Sequence, residues 1–162
     1  MFKILTIMIM LSLSIMAKSF NFTELRYSDA IGKTMKLNGE ITFKKDGLNI
    51  LYPKSKRVLN YSDDTLVYEV DSKEVKLNFM QTQQIIQYFE VLILLHAGDK
   101  SLIDEMFVVS KKLGITTLLP KDSLKDYISK IELYKEKQEL EYVKLYLSNN
   151  DSIMITIHDE AN

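Results

Sequence analysis

The chain has 162 residues, 46% of them hydrophobic, with a formal charge of −1 at neutral pH and no cysteine. That apolar content excludes a disordered chain, the missing basic surplus argues against nucleic acid as a partner, and the absence of cysteine removes thiol catalysis, thiolate metal sites and disulfides. A domain of this length can stand on its hydrophobic core alone.

The chain opens Met1-Phe2-Lys3, followed by an uncharged run from Ile4 to Ala17. The run is shorter than the ~20 residues a spanning helix needs, and it ends in the small-x-small sequence Ala17-Lys18-Ser19. Residues 1–19 therefore read as a secretory signal cleaved near Ser19, before Phe20, with cleavage after Ala17 as the alternative. No cysteine follows the run, so the mature N-terminus has no thiol to carry a lipid anchor. Residues 20–162 then form a single exported domain, and losing Lys3 and Lys18 takes its charge further negative.

From Met35 to Phe43, the odd positions are Met35, Leu37, Gly39, Ile41 and Phe43, and the even ones are Lys36, Asn38, Glu40 and Thr42. This period of two predicts an antiparallel strand with one buried face. Lys44-Lys45-Asp46-Gly47 makes a turn, Leu48, Ile50 and Tyr52 continue the alternation, and Pro53 ends it. Arg57 to Tyr61, the turn Ser62-Asp63-Asp64, and the alternating Leu66, Tyr68 and Val70 extend the meander. After Asp71-Ser72-Lys73, the residues Val75, Leu77 and Phe79 read as another strand.

The period changes at Thr82, a plausible N-cap, and Gln83 to His96 reads as a helix stopped by Gly98. It is apolar nearly all round, which predicts burial on more than one side. A short second helix is expected from Leu102 to Met106. Strands resume at Phe107–Ser110, Ile115–Leu119, Tyr127–Tyr134, Leu140–Leu147 and Ser152–His158. The total is about ten strands in two blocks, an α+β fold with one curled antiparallel sheet covered by one to three helices.

No catalytic constellation is present, and there is no Gly-rich phosphate loop, GxSxG or HExxH motif. Of the two histidines, His96 ends an apolar helix and reads as structural, and His158-Asp159-Glu160 reads as a frayed tail rather than a metal site. Tyr134, Tyr142 and Tyr146 form either a ligand or partner surface or, as the favoured reading, cross-strand aromatic pairs on an exposed face. The apolar faces of strands and helix are either a packed core, the default, or a pocket for an apolar ligand.

The order of elements resembles the LolA-like family of periplasmic lipoprotein carriers. The matching pieces are the signal, Gly39-Glu40-Ile41-Thr42-Phe43, Gly47-Leu48, the strand ending Tyr52-Pro53, the helix with Leu94-Leu95, and Leu102 to Phe107. The tail matches at Leu118-Leu119-Pro120-Lys121-Asp122, Ile128, Ile131-Glu132-Leu133 and Asp151-Ser152-Ile153-Met154-Ile155-Thr156-Ile157. The Arg-Trp-type residues common before the proline are replaced by Leu48-Asn49-Ile50-Leu51-Tyr52, and no arginine aligns with the one associated with closing the carrier's lid.

The resemblance implies an incomplete (half) β-barrel holding acyl chains in an apolar cavity. That cavity would be lined by Leu37, Ile41, Phe43, Ile50 and Tyr52, by Leu66, Tyr68, Val75 and Leu77, and by Ile86, Phe89, Leu92 and Ile93 of the helix. It implies a monomeric periplasmic carrier or chaperone, with no cofactor, no metal and no enzyme activity. Such a carrier would take acyl chains of lipoproteins, or of another lipid, from an inner-membrane loading protein to an outer-membrane acceptor. The alternative on the same fold is a periplasmic sensor or interaction module that binds a protein partner, and a hydrolase would need converging carboxylates in a cleft.

Overall fold

The computed structural model describes residues 17–137 and 139–160, so the expected signal lies outside the described residues as far as residue 16. Eleven strands form one antiparallel sheet: β1 (Lys18–Ser28), β2 (Lys33–Lys44), β3 (Gly47–Tyr52), β4 (Arg57–Ser62), β5 (Thr65–Val70), β6 (Lys73–Glu74), β7 (Phe107–Lys112), β8 (Ile115–Pro120), β9 (Ile128–Glu136), β10 (Glu139–Leu147) and β11 (Ser152–Glu160). Helices α1 (Phe79–Ala97) and α2 (Lys100–Met106) link the two blocks.

The spatial order is β6-β5-β4-β3-β2-β1-β11-β10-β9-β8-β7. The first block runs outward from β1 to one edge, the helices cross to the other edge at β7, and the second block returns until β11 pairs with β1. The first and last strands therefore sit side by side in the middle of the sheet. The outer edges, β6 and β7, do not pair with each other, so the curled sheet stays open.

Hairpin chemistry explains the regular spacing. Asp63-Asp64 and Asp71-Ser72 take positive φ at both turn positions, as tight two-residue hairpins require. Gly39 permits a different kind of closeness. A β-carbon there would lie 2.5 Å from the Leu51 carbonyl oxygen and 2.8 Å from the ring of Phe22, its cross-strand partner.

The strand expected over Val75, Leu77 and Phe79 does not form. Pairing stops at Glu74, and Asn78 caps α1 in place of Thr82. The Asn78 side chain accepts from the Gln81 N–H at 2.9 Å, and the Gln81 side chain accepts from the Asn78 N–H at 3.2 Å. This reciprocal capping box satisfies two backbone donors and draws Phe79 into the first helical turn, where it is exposed. At the other end Gly98, at φ 68°, makes the left-handed cap, with its N–H 3.0 Å from the Leu94 carbonyl oxygen.

α1 packs into the curl of the sheet. Tyr88, Phe89, Val91, Leu92, Leu94 and Leu95 are buried there, in one core with Ile41, Phe43, Ile50, Phe107, Leu118, Ile131, Val143 and Ile155. His96 stacks on Phe43 with ring centres 3.7 Å apart, the structural role expected of it. The tail does not fray at His158, because β11 continues to Glu160, which pairs with Phe20. His158 Nε2 lies 3.0 Å from the Thr23 hydroxyl.

Candidate functional site

β1 was not among the expected strands, yet it carries the polar centre of the molecule. Its inward positions are Phe20, Phe22, Glu24 and Arg26, since alternate residues share a face. Both Phe20 and Phe22 are buried, so the inner face is apolar at one end and charged at the other. The Glu24 side chain is 0% exposed, and Arg26 next to it on the same face is 39% exposed.

A fully buried carboxylate needs partners, because leaving water costs far more than burial returns. Glu24 accepts from Arg26 Nε and from the Tyr52 hydroxyl, the latter at 2.7 Å. Arg26 also donates from Nη2 to the Tyr52 oxygen at 3.4 Å. Burial pushes the Tyr52 phenol well above its ordinary value, and the Glu24 carboxylate pushes it further. For Arg26, burial favours the neutral form, but Glu24 beside it outweighs that and holds the guanidinium charged.

Around this cluster lies a pocket of about 310 Å³. The first half of α1 lines it with Gln84, Ile85, Gln87 and Tyr88, and Arg26 lines it from β1. The opposite wall is Tyr127 and Ile128 at the start of β9, with Leu145, Leu147 and Ile153 of the β10–β11 hairpin. The rim at that hairpin is fixed by Asp151, which accepts from the Asp29 N–H at 2.8 Å and from Asn149 Nδ2 at 2.9 Å. Ser148 Oγ donates to the Lys125 carbonyl oxygen at 2.8 Å. A second hollow of about 230 Å³, lined by Arg57, Leu59, Tyr68, Leu77 and Gln81, meets the first at Arg26, Gln84 and Ile85.

Tyr88 is the unusual member of the wall. It is 8% exposed, and its hydroxyl oxygen has no hydrogen-bond partner among the described residues. Burial, with the nearby Glu24 carboxylate adding to it, raises the phenol well above its ordinary range, so it stays a protonated donor.

The thirteen residues expected to line a cavity are divided by the structure. Ile41, Phe43, Ile50, Tyr52, Phe89 and Leu92 are buried in the packed core. Leu37, Leu66, Tyr68, Ile86 and Ile93 are half-buried against it, Leu77 is half-buried beyond the end of β6, and Val75 is exposed. None of the thirteen lines the 310 Å³ pocket, and only Tyr68 and Leu77 reach the adjoining hollow. The pocket instead sits at one end of α1, where the inner face of β1 turns polar.

The tyrosines of the second block pair on the outer face. Tyr142 lies opposite Tyr134, and Tyr146 donates to Glu132 at 2.8 Å while Lys130 and Lys144 sit over its ring. No group of three or more His, Asp or Glu side chains able to hold a metal occurs among the described residues.

The Glu24–Arg26–Tyr52–Tyr88 cluster was missed because its two charges interrupt the alternation that marks a buried strand. The signal that was available is Phe20 and Phe22, two apolar residues in step, directly upstream of charges in the same phase.

No family model matches this chain, and no curated protein matches it. Among solved structures it is similar to a domain from Vibrio parahaemolyticus provisionally described as an outer membrane lipoprotein-sorting protein domain, at 10% identity and a TM-score of 0.38, covering 90% of this chain and 84% of that one.

Proposed function

We propose that the protein is an exported lipid-binding carrier that holds an acyl chain in the pocket beside α1 and moves it through the periplasm towards the outer membrane. The observation that carries this reading is the pocket itself. It is concave, it is lined by Ile85, Tyr88, Tyr127, Ile128, Leu145, Leu147 and Ile153 together with as many polar or charged residues, and at about 310 Å³ it lies at the small end of ligand pockets. Each methylene buried there contributes about 0.8 kcal/mol, so one chain gives useful retention. The resemblance of the sequence to lipoprotein carriers supports the same reading, with a lipoprotein or another lipid as cargo and membrane proteins as donor and acceptor. Cleavage of the signal after Ala17 would leave β1 whole, whereas cleavage before Phe20 would remove Lys18, which pairs with Glu139 at 2.7 Å, and Ser19, which bonds Thr42 at 2.8 Å.

The test is native mass spectrometry of the exported protein after gentle purification, followed by titration of the stripped protein with monoacyl lipids. A lipid-sized adduct and saturable uptake are expected. A protein that carries no adduct and takes up no monoacyl lipid overturns the reading.

A second reading, an interaction module that binds a protein partner, draws on a separate feature. β7 is an open edge, and it carries exposed Val108 and Val109 beside exposed Leu119, with Leu113 93% exposed at the hairpin tip. Edge strands of this kind accept an added strand. A stable co-purified protein, with no lipid transfer between membranes, would favour it.

A further inference from the structure

We propose that the β7–β8 hairpin is a membrane foot: Leu113 at its tip enters the headgroup region of a bilayer that carries anionic lipid, and Lys111 and Lys112 hold the phosphates around it. Lys112 pairs with Ile115, so the turn between them has only two residues, Leu113 at φ 50° and Gly114 at φ 83°. Positive φ at both places is the two-residue hairpin geometry that favours Asn-Gly and disfavours a leucine at the first position. Nine described non-glycine residues have positive φ, and eight of them are Lys, Asp, Ser or Asn. Leu113 is the ninth. It is also 93% exposed, so packing returns nothing for the disfavoured conformation. An apolar side chain held out in water at a backbone cost is a feature the fold itself does not require, and it marks an interaction surface.

Charge and aromatic placement select a lipid surface. Behind the tip, Ile115, Tyr134 and Tyr142 line a shallow hollow of about 660 Å³ on the outer face. The one carboxylate in its lining, Glu132, already accepts from Lys130 and from Tyr146, each at 2.8 Å. The neighbouring β9–β10 turn brings Lys135 and Lys137 against Glu136, and Glu139 beside them pairs with Lys18 at 2.7 Å. The two hairpin ends therefore stay net positive even if Lys18 leaves with the signal. The acidic end of β11, Asp159-Glu160, lies three strands from β8, roughly 14 Å, beyond the reach of exposed charges in physiological salt. A leucine to insert, tyrosines to sit at the water boundary and lysines to reach phosphates together make an interfacial anchor for an anionic bilayer. The tip is at the opposite end of the sheet from the β1–β2 turn and the rim at Asp151. The contact thus leaves the pocket beside α1 uncovered, and it does not depend on what that pocket holds.

The chain has no tryptophan, so Leu113→Trp places a single fluorophore at the tip of the full exported chain. On vesicles of phosphatidylcholine mixed equally with phosphatidylglycerol, its emission is expected to shift to the blue and to be quenched by lipid brominated in the upper acyl chain. On phosphatidylcholine alone both effects should be far smaller. Ile31→Trp, at the exposed turn of the other end of the sheet, should show neither. In flotation at low salt the wild-type chain should bind the mixed vesicles, and the joint change Lys111→Gln with Lys112→Gln should weaken binding at least tenfold. Leu113→Asn supplies the residue the turn prefers, so it should lower vesicle binding roughly tenfold while raising the melting temperature by about 2 °C. A variant that gains stability and loses binding has not lost it by misfolding. Emission at position 113 that stays that of water, an emission shift at position 31 instead, or unchanged vesicle binding by Leu113→Asn overturns the inference. So does a wild-type chain that binds no vesicles; if Leu113→Asn then abolishes self-association or the capture of a co-purified protein, the tip is a protein surface.

Discussion

Removing Arg26 should expose how much the molecule depends on the pair at the polar end of β1. In Arg26→Met the Glu24 carboxylate keeps the Tyr52 hydroxyl but loses the guanidinium, and it has no exposure of its own through which water could compensate. Breaking a fully buried pair costs about 3–5 kcal/mol. Because Arg26 is 39% exposed, its interaction is partly screened and the vacated space is open to water, so about 2–3 kcal/mol is expected. Glu24→Gln leaves a half-hydrated cation and keeps an acceptor for Tyr52, at about 1 kcal/mol. The double variant has no buried charge to strand and should lie within about 1 kcal/mol of wild type, a coupling of roughly 2 kcal/mol. Urea unfolding reads this directly. With a slope of about 2 kcal/mol/M, Arg26→Met should lower the midpoint by roughly 1–1.5 M and the double variant by well under 1 M. If the losses of the two single variants simply add, the pair is not a coupled unit and the account of Glu24 burial fails.

Three other outcomes can be measured with the same protein. Gly39→Ala forces a methyl against the Leu51 carbonyl and the ring of fully buried Phe22, and should cost about 1–3 kcal/mol by urea unfolding; a loss below ~0.5 kcal/mol would mean β1 and β2 are free to separate there. His96 has its pKa lowered by burial, then by Lys135 and Lys18, against a smaller opposing influence of Glu139. The unfolded chain takes up this proton near pH 6.5 while the folded one resists it, so the stability His96 contributes is complete above pH 6.5 and lost as pH falls below that value. Unfolding midpoints measured from pH 7 to 5 should fall less steeply in His96→Gln, and parallel slopes would contradict the burial of the ring. Ile153→Trp places a larger side chain on the pocket wall opposite α1, and should weaken decanoyl glycerol binding at least tenfold while the protein still melts cooperatively. Unchanged affinity would put the ligand elsewhere.

Much of the architecture was legible because it follows from local chemistry. The alternation of Ile41 and Phe43, then Leu48, Ile50 and Tyr52, gave the correct buried faces, and all five residues are in the core. Pro53 and Gly98 stop their elements where expected. At Val75 to Phe79 three apolar residues in step fit a strand, but the Asn78–Gln81 capping box, a stronger local device, starts a helix. β1 hides its strand pattern for a related reason. Glu24 and Arg26 occupy inward positions that a period-two pattern reserves for apolar residues, and it takes Arg26 together with the distant Tyr52 hydroxyl to make a buried Glu24 tolerable.

What the sequence by itself determined is which residues turn inward, where the hairpins close and where the long apolar helix begins to dominate, since each depends on neighbours within a few positions. Which strands lie together was decided only by the tertiary structure. The pairing of β1 with β11 sets Glu24 opposite Ile155 and Arg26 opposite Ile153, joining the two ends of the chain. That pairing turns a list of apolar faces into a filled core beneath α1 and an open pocket beside it. An apolar stripe has the same pattern whether another side chain or a ligand covers it. Only the three-dimensional path of the helix separates the two, and it leaves space next to Tyr88 and Arg26.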